Sequence, residues 1–187
     1  WFVWGGYSSQ RRHSGLFGVN FGRRLAEIND GTSNTVVASE GKAKQPSLRS
    51  RSGGPSCLSA PPDPAPTPDA IRALIASSLG ACVTTRDPGK TRWSNANSYY
   101  SGLTFALPPN PKSMAGPNRI DYDLISLDEN DGAPTYAAVS ARSYHPGGVN
   151  TLFADGSVKF IKDSVNWANW RALGTVAGGE VISADGY

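Results

Sequence analysis

His145 stands ten positions before the pair Asp155-Gly156, and Glu40, Asp155 and Glu180 are the acidic partners that chemistry at its imidazole would use. Nucleophilic catalysis needs a serine or cysteine within reach of a base that a third group orients. Ser140, Ser143 and Ser157 are near in sequence, yet none lies in a Gly-x-Ser-x-Gly elbow. A metal centre built on one histidine would have to be rich in carboxylates. Paired carboxylates for glycoside cleavage are left open, because their separation is a three-dimensional quantity. Asp121, Asp123, Asp128, Glu129 and Asp131 form the acidic cluster of the chain. Placing Gly132 at the sixth position of an EF-hand loop puts Leu127 first, so that motif fails. A calcium loop of another kind, on Asp121, Asp123, Asp128 and Asp131, stays open beside a plain solvated acidic loop.

Each of these residues also has a folding role. Asp-Gly between two alternating apolar runs signals a hairpin. With Asp155-Gly156 as a two-residue loop, Phe153 would face Val158 and Thr151 would face Phe160. His145, followed by Pro146, Gly147 and Gly148, stands at a strand entry, where an imidazole can tie down backbone or a buried carboxylate such as Glu40. None of these roles requires a substrate, and the chain is expected not to be an enzyme.

The elements that must position these groups are legible in outline. Asp30-Gly31 is a turn rich in side chains that bond their own backbone, and Val36-Val37-Ala38 reads as a buried strand ending at Glu40. Thr67-Pro68-Asp69 opens a helix, with Thr67 as N-cap and Pro68 in the first turn; Ile71, Leu74, Ile75 and Leu79 share its apolar face. Residues 98–105 and 135–143 read as strands, Asp163-Ser164 as the cap of a last helix carrying Val165, Trp167, Trp170 and Leu173, and residues 178–182 as an edge strand. Pro61 to Pro68 reads as extended surface chain.

Composition fits one domain over residues 1–187. Hydrophobic residues make up 39%, and 21 Gly with 14 Pro indicate a loop-rich, strand-biased chain. The charge of +3 is mild, and its basic stretches lack the interleaved aromatics that grip single strands, so no nucleic-acid partner is expected. No run approaches the roughly 18 apolar residues of a membrane helix.

Four stretches in order carry a resemblance. They are Asp30-Gly31-Thr32-Ser33-Asn34-Thr35 with Glu40; Pro108-Pro109-Asn110; His145-Pro146-Gly147-Gly148 with Asp155-Gly156; and Trp170 with Gly178-Gly179-Glu180. Together they resemble the prepilin-type processing-associated H-x9-DG family, whose members look like type IV pilins or type II secretion pseudopilins. Residues 43–93 match nothing in it.

These elements are expected to form an α+β fold, one antiparallel sheet from the Val36, Tyr136, Val149 and Val158 strands with a C-terminal β-hairpin and two short helices packed on it, which the resemblance makes a pilin-like globular head without its N-terminal helix. The resemblance implies a structural, extracytoplasmic subunit at the cell surface that assembles with itself or with other pilin-like proteins. Membrane contact would come only through a hydrophobic N-terminal helix that this sequence does not include. Trp1, Phe2, Trp4 and Trp167 are the aromatics expected at an interface. An oxidising compartment would favour a disulfide between Cys57 and Cys82 stapling the Pro-rich 43–93 insertion, for roughly 3 kcal/mol in the chain-entropy model; free thiols in a cytosolic protein are the alternative. A glycan- or calcium-binding module is the second functional reading, and an enzyme centred on His145 the third.

Overall fold

The computed structural model describes residues 2–3, 15–18, 21–49, 67–78, 83–84, 89–95, 98–112, 120–125, 137–180 and 182. The fold is α+β. Its larger sheet has five strands in the order β11-β10-β4-β1-β7, where β1 is Phe2–Val3, β4 is Val36–Ser39, β7 is Gly102–Leu103, β10 is Gly148–Phe153 and β11 is Val158–Lys162. Every neighbouring pair is antiparallel except β1 with β7. A second sheet runs β6-β5-β8-β9, from Val83–Thr84, Ser47–Arg49, Asp123–Ile125 and Ala137–Ala138. β2 (Phe17–Gly18) and β3 (Phe21–Gly22) form a separate small hairpin.

The Asp155-Gly156 turn is present, but its geometry differs from the two-residue loop expected. Gly156 N–H bonds to Phe153 O at 3.0 Å and Phe153 N–H to Ser157 O at 2.9 Å, which makes a three-residue loop over 154–156. Gly156 has φ +86°, whereas Asp155 is not among the residues with positive φ. That is a β-turn closed by a glycine bulge, the usual three-residue hairpin connection. Pairing therefore moves by one residue: Leu152 faces Val158, Thr151 faces Lys159 and Asn150 faces Phe160. Such a shift exchanges the two faces of a strand. Ile161 is buried on the inner side, while Val158 and Phe160 stand outside.

The core under the large sheet is Val36, Val149, Phe153 and Ile161 against Phe105, Trp170 and Leu173. Helix α3 (Trp167–Ala172) is capped by Asn166, whose side chain accepts the N–H groups of Ala168 and Asn169; Asp163 and Ser164 do not cap it. Its two indoles clip it to one stretch of chain: Trp167 donates to Ala106 O at 3.3 Å and Trp170 to Leu107 O at 2.8 Å. The Trp170 ring lies 4.5 Å from that of Phe105, and a Cβ on Gly174 would meet the same phenylalanine at 2.3 Å. Gly174 is thus required by close approach, quite apart from ending the helix.

Helix α1 (Pro68–Ser78) is capped as expected, with Ala70 N–H bonded to the Thr67 hydroxyl at 3.3 Å. Ile71 and Ile75 are fully buried against Leu48, Leu107, Tyr122 and Leu124, with Leu74 partly buried beside them, so this much of the apolar stripe is core, while Leu79 lies outside the described residues. Residues 43–93 thus supply β5, α1 and β6 to the second sheet; Cys57 and Cys82 lie outside the described residues.

Three expected strands are corrected. Residues 98–101 form a helical turn, α2 (Ser98–Ser101), leaving two residues of strand after it. From Tyr100 to Leu107 every residue is buried, a pattern that does not distinguish strand from other buried chain. The strand near residue 137 belongs to the second sheet, paired with β8 and not with the hairpin. Residues 178–180 form no strand; their main chain is held by a side chain described below. Replacing the fully buried Trp170 by alanine is expected to cost about 3–5 kcal/mol, read from urea denaturation midpoints at unchanged m-value.

Candidate functional site

The motif residues gather into two polar knots, one at each end of the β10–β11 hairpin. The first is organised by Asp30. Its Oδ1 accepts Gly179 N–H at 2.9 Å, and its Oδ2 accepts Gly178 N–H at 2.8 Å and the Thr175 hydroxyl at 2.9 Å. Gly179 has φ +75°, a conformation that side-chain-bearing residues rarely adopt. Gly31, at φ +93°, starts a tight turn closed by Asn34 N–H, and its carbonyl also accepts the Thr35 hydroxyl. The Asp155-Gly156 turn docks on this segment: Asp155 N–H bonds to Thr32 O, Ala154 N–H to Thr35 O, and Lys159 Nζ to Ser33 O at 3.0 Å. The Asp155 carboxylate accepts Ser157 N–H at 2.8 Å within its own turn. Glu180, exposed, accepts from Thr175 Oγ1 at 3.3 Å.

The second knot joins Glu40, His145 and Asn110. Glu40 Oε2 accepts Asn150 N–H at 2.8 Å; its Oε1 meets Asn150 Nδ2 at 3.3 Å and His145 Nε2 at 3.1 Å. Partial burial pushes the Glu40 carboxyl up, but the two Asn150 donors and the His145 ring outweigh it and hold the group below its ordinary value. Asn110, in the left-handed region at φ +46°, accepts Ser143 N–H at 2.9 Å and donates to Gly148 O and to Asp163 at 2.7 Å. The Ser143 hydroxyl donates to Gly148 O and accepts His145 main-chain N–H at 3.1 Å, so it does not address the imidazole. Pro146 and Gly147 are exposed, with Gly147 at φ +83°. Gly148 is required by contact, because a Cβ there would meet Ile161 O at 2.3 Å and the Phe160 ring at 2.7 Å.

A third polar centre escaped the motif reading. Asp123 is buried between the sheets, with its Oδ1 accepting Arg142 Nε and Nη2 at 3.3 and 3.2 Å and Ser140 N–H at 3.4 Å. Arg142 Nη1 reaches Pro111 O at 3.0 Å. Lys90, also buried and at φ +64°, donates to Gly102 O. Burial lowers its ammonium to about 8, against the opposing pull of Asp123; burial raises the Asp123 carboxyl against that of Arg142 and Lys90. The one signal was Asp123 itself, a carboxylate between Tyr122 and Leu124-Ile125 in a strand of buried residues.

The acidic cluster of residues 121–131 is thereby divided. Asp123 faces Arg142, Asp121 is half-buried with its carbonyl bonded to Gln45 at 2.6 Å, and Asp128 and Asp131 lie outside the described residues. Among the described residues no three His, Cys, Asp or Glu side chains come together as metal ligands. Ser140 Oγ is buried and has no hydrogen-bond partner among the described residues. What the knots do chemically is hold backbone: Asp30 and Glu40 accept main-chain N–H groups, and the hydroxyls of Thr35 and Ser143 donate to carbonyls.

Two consequences follow for stability against pH. The folded Glu40 carboxyl ionises below its ordinary 4.5, so its contribution is fully present above that value and lost as pH falls through the lower folded one. Glu40→Gln should therefore cost about 1 kcal/mol near pH 7, with the gap to wild type closing as pH falls below 4.5 in denaturant titrations. Lys90 works in the alkaline range. The unfolded chain keeps that proton up to 10.5 while the folded one releases it near 8, so the unfolded state binds more protons between them and stability rises with pH there. Lys90→Met should lack this rise and match or exceed wild-type stability at pH 7, measured in the same titrations.

Comparison with known proteins places the chain by sequence. A family model described as "Protein of unknown function (DUF1559)" matches residues 3–167, from β1 into the start of α3. No curated protein and no solved structure matches it. The match spans both sheets, the hairpin and all of the second knot, and on that evidence this chain belongs to the DUF1559 family of proteins of unknown function.

Proposed function

We propose that the chain is a non-catalytic structural subunit, the globular head of a pilin- or pseudopilin-like protein that works outside the cytoplasm by assembling with copies of itself or with other surface proteins. The observation that carries this reading is the commitment of the motif residues. Asp30, Glu40, Asn110, Ser143 and His145, which look chemical in the sequence, all bond to the main chain or to each other around one hairpin. A motif retained for holding backbone together needs no substrate to account for it. The ordered series of four motif stretches supports the pilin-like assignment in particular. The outer side of the hairpin agrees with an assembly role, because Leu152, Val158 and Phe160 stand together there at 36%, 63% and 45% exposure. Clustered exposed hydrophobes on a soluble surface mark an interaction site more often than isolated ones do.

The test is the location and native size of the full-length protein in its source cells. Recovery from the envelope or extracellular fraction, in assemblies larger than one chain by negative-stain imaging and light scattering, is the expected outcome. A monomer confined to the cytoplasm would overturn the reading. His145→Gln should leave assembly intact, since the imidazole serves local packing here.

A further inference from the structure

The edge of the large sheet is strand β11, and the hairpin hydrogen bonds fix which way its main-chain groups point. Residues 153 with 157, and 147 with 163, are bonded pairs. Bonded and non-bonded pairs alternate along an antiparallel ladder, so 151 with 159 and 149 with 161 are bonded too. Val158, Phe160 and Lys162 therefore turn their N–H and C=O groups away from β10, towards the open edge. Of these groups, Lys162 O accepts Val165 N–H. The main-chain groups of Val158 and Phe160 have no partner among the described residues. The same two residues carry the most exposed apolar side chains of the hairpin. Charged side chains usually shield such an edge. Here Lys159 folds inward, its Nζ over the Phe153 ring at 4.3 Å and on Ser33 O.

We propose that this edge pairs with itself: two copies of the chain join β11 to β11 antiparallel about a two-fold axis at Phe160, merging their five-stranded sheets into one. The proposal deepens the assembly reading above and rests on it. Its register follows from the strand. With the axis at Phe160, the Phe160 N–H and C=O groups of the two copies bond reciprocally, and Val158 lies opposite Lys162. Both Phe160 rings fall on the same face, continuous with Leu152 and Val158 of each copy, and no lysine stands directly opposite a lysine. Centring the axis on Lys159 sets two lysines face to face, which destabilises a strand pair. Centring it on Ile161 carries Val158 past the strand end at Lys162, onto Ser164. A second copy therefore fits this edge in one favoured register, and it brings the same apolar strip that needs covering.

The experiment uses the full chain with single cysteines introduced on the edge. Across a bonded antiparallel pair the Cα atoms lie about 5.5 Å apart, within disulfide range. Phe160→Cys should give a covalent dimer under mild oxidation that the wild-type chain, with its own two cysteines, does not give. Val158→Cys and Lys162→Cys should each cross-link poorly alone, since like positions lie about 14 Å apart, and should cross-link with one another when mixed. Phe160→Lys, checked for folding by circular dichroism, should weaken self-association by at least about tenfold in sedimentation, because two lysines then meet on the axis. Absence of the Phe160→Cys cross-link, or equal cross-linking at all three positions, overturns the proposed edge. Assembly of the native protein in its source cells, measured separately, decides the structural-subunit reading; large native assemblies without the Phe160→Cys dimer would remove the edge and leave that reading standing.

Discussion

The contact on which the rest of the molecule depends is the Glu40 carboxylate on the main chain of Asn150. Glu40 follows the last residue of β4, and its N–H still bonds to Asn150 O in the ladder. The return bond would ordinarily run from Asn150 N–H to Glu40 O, but that oxygen accepts Arg142 N–H instead. The Glu40 side chain supplies the missing acceptor at 2.8 Å. An orphaned N–H in the middle strand of the hairpin sheet would cost about 1–3 kcal/mol. The substitution also lets the chain leave β4 while Arg142 crosses behind it. Arg142 then carries its guanidinium into the interior, onto Asp123 of the second sheet. One displaced ladder bond thus couples the two sheets.

That coupling explains why a charged centre lies between them. Asp123, Arg142 and Lys90 are all buried, an arrangement that apolar residues of similar volume often match or exceed in stability. What such a centre adds is direction. Arg142 satisfies Pro111 O as well as Asp123, and Lys90 satisfies Gly102 O in β7, so three chain segments are held in one relative placement. A purely apolar seam between two sheets of short strands would leave that placement to shape alone. The two knots around the hairpin act in the same manner at the surface, using carboxylates and amides to set chain paths that short strands leave loose.

Much of the hairpin region was legible, and its one error is instructive. The Asp-Gly pair, the strand at 36–39 and the contact of His145 with Glu40 follow from turn chemistry and from the need of an imidazole for a partner. The register did not follow. Asp-Gly serves a two-residue loop and a three-residue loop with a glycine bulge equally well, and the choice shifts pairing by one. In β11 the apolar residues fall on both phases, Val158 and Phe160 on one and Ile161 on the other, so alternation could not decide. The buried stretch from Tyr100 to Leu107 defeated periodicity for another reason, since a segment covered on all sides shows none. Asn166 capped α3 where Asp163-Ser164 seemed to offer the better signal, because Asp163 is taken by Asn110 and by the end of the hairpin ladder. Helix α1 was legible from its cap through Ile75, as the cap and the apolar spacing are local features.

The register of the hairpin bears directly on the proposed assembly edge. Had the two-residue loop formed, Val158 and Phe160 would have joined Phe153 and Thr151 inside, and Ile161 would have faced water. The bulge at Gly156 turns the strand over instead. Ile161 then completes the core beside Val149, and a valine and a phenylalanine are left outside with a leucine across from them. Phe160 is not free to turn back, because its ring rests on Gly148, where a Cβ would collide with it. Glycine at 148 and glycine at 156 thus cooperate: one sets the phase of the strand, the other accepts the ring that this phase places on the surface. A chain that needed only a stable monomer would gain by carrying polar residues at 158 and 160. Keeping Val158 and Phe160 outward, on a strand where their main-chain groups have no partner among the described residues, accords with the edge pairing proposed above.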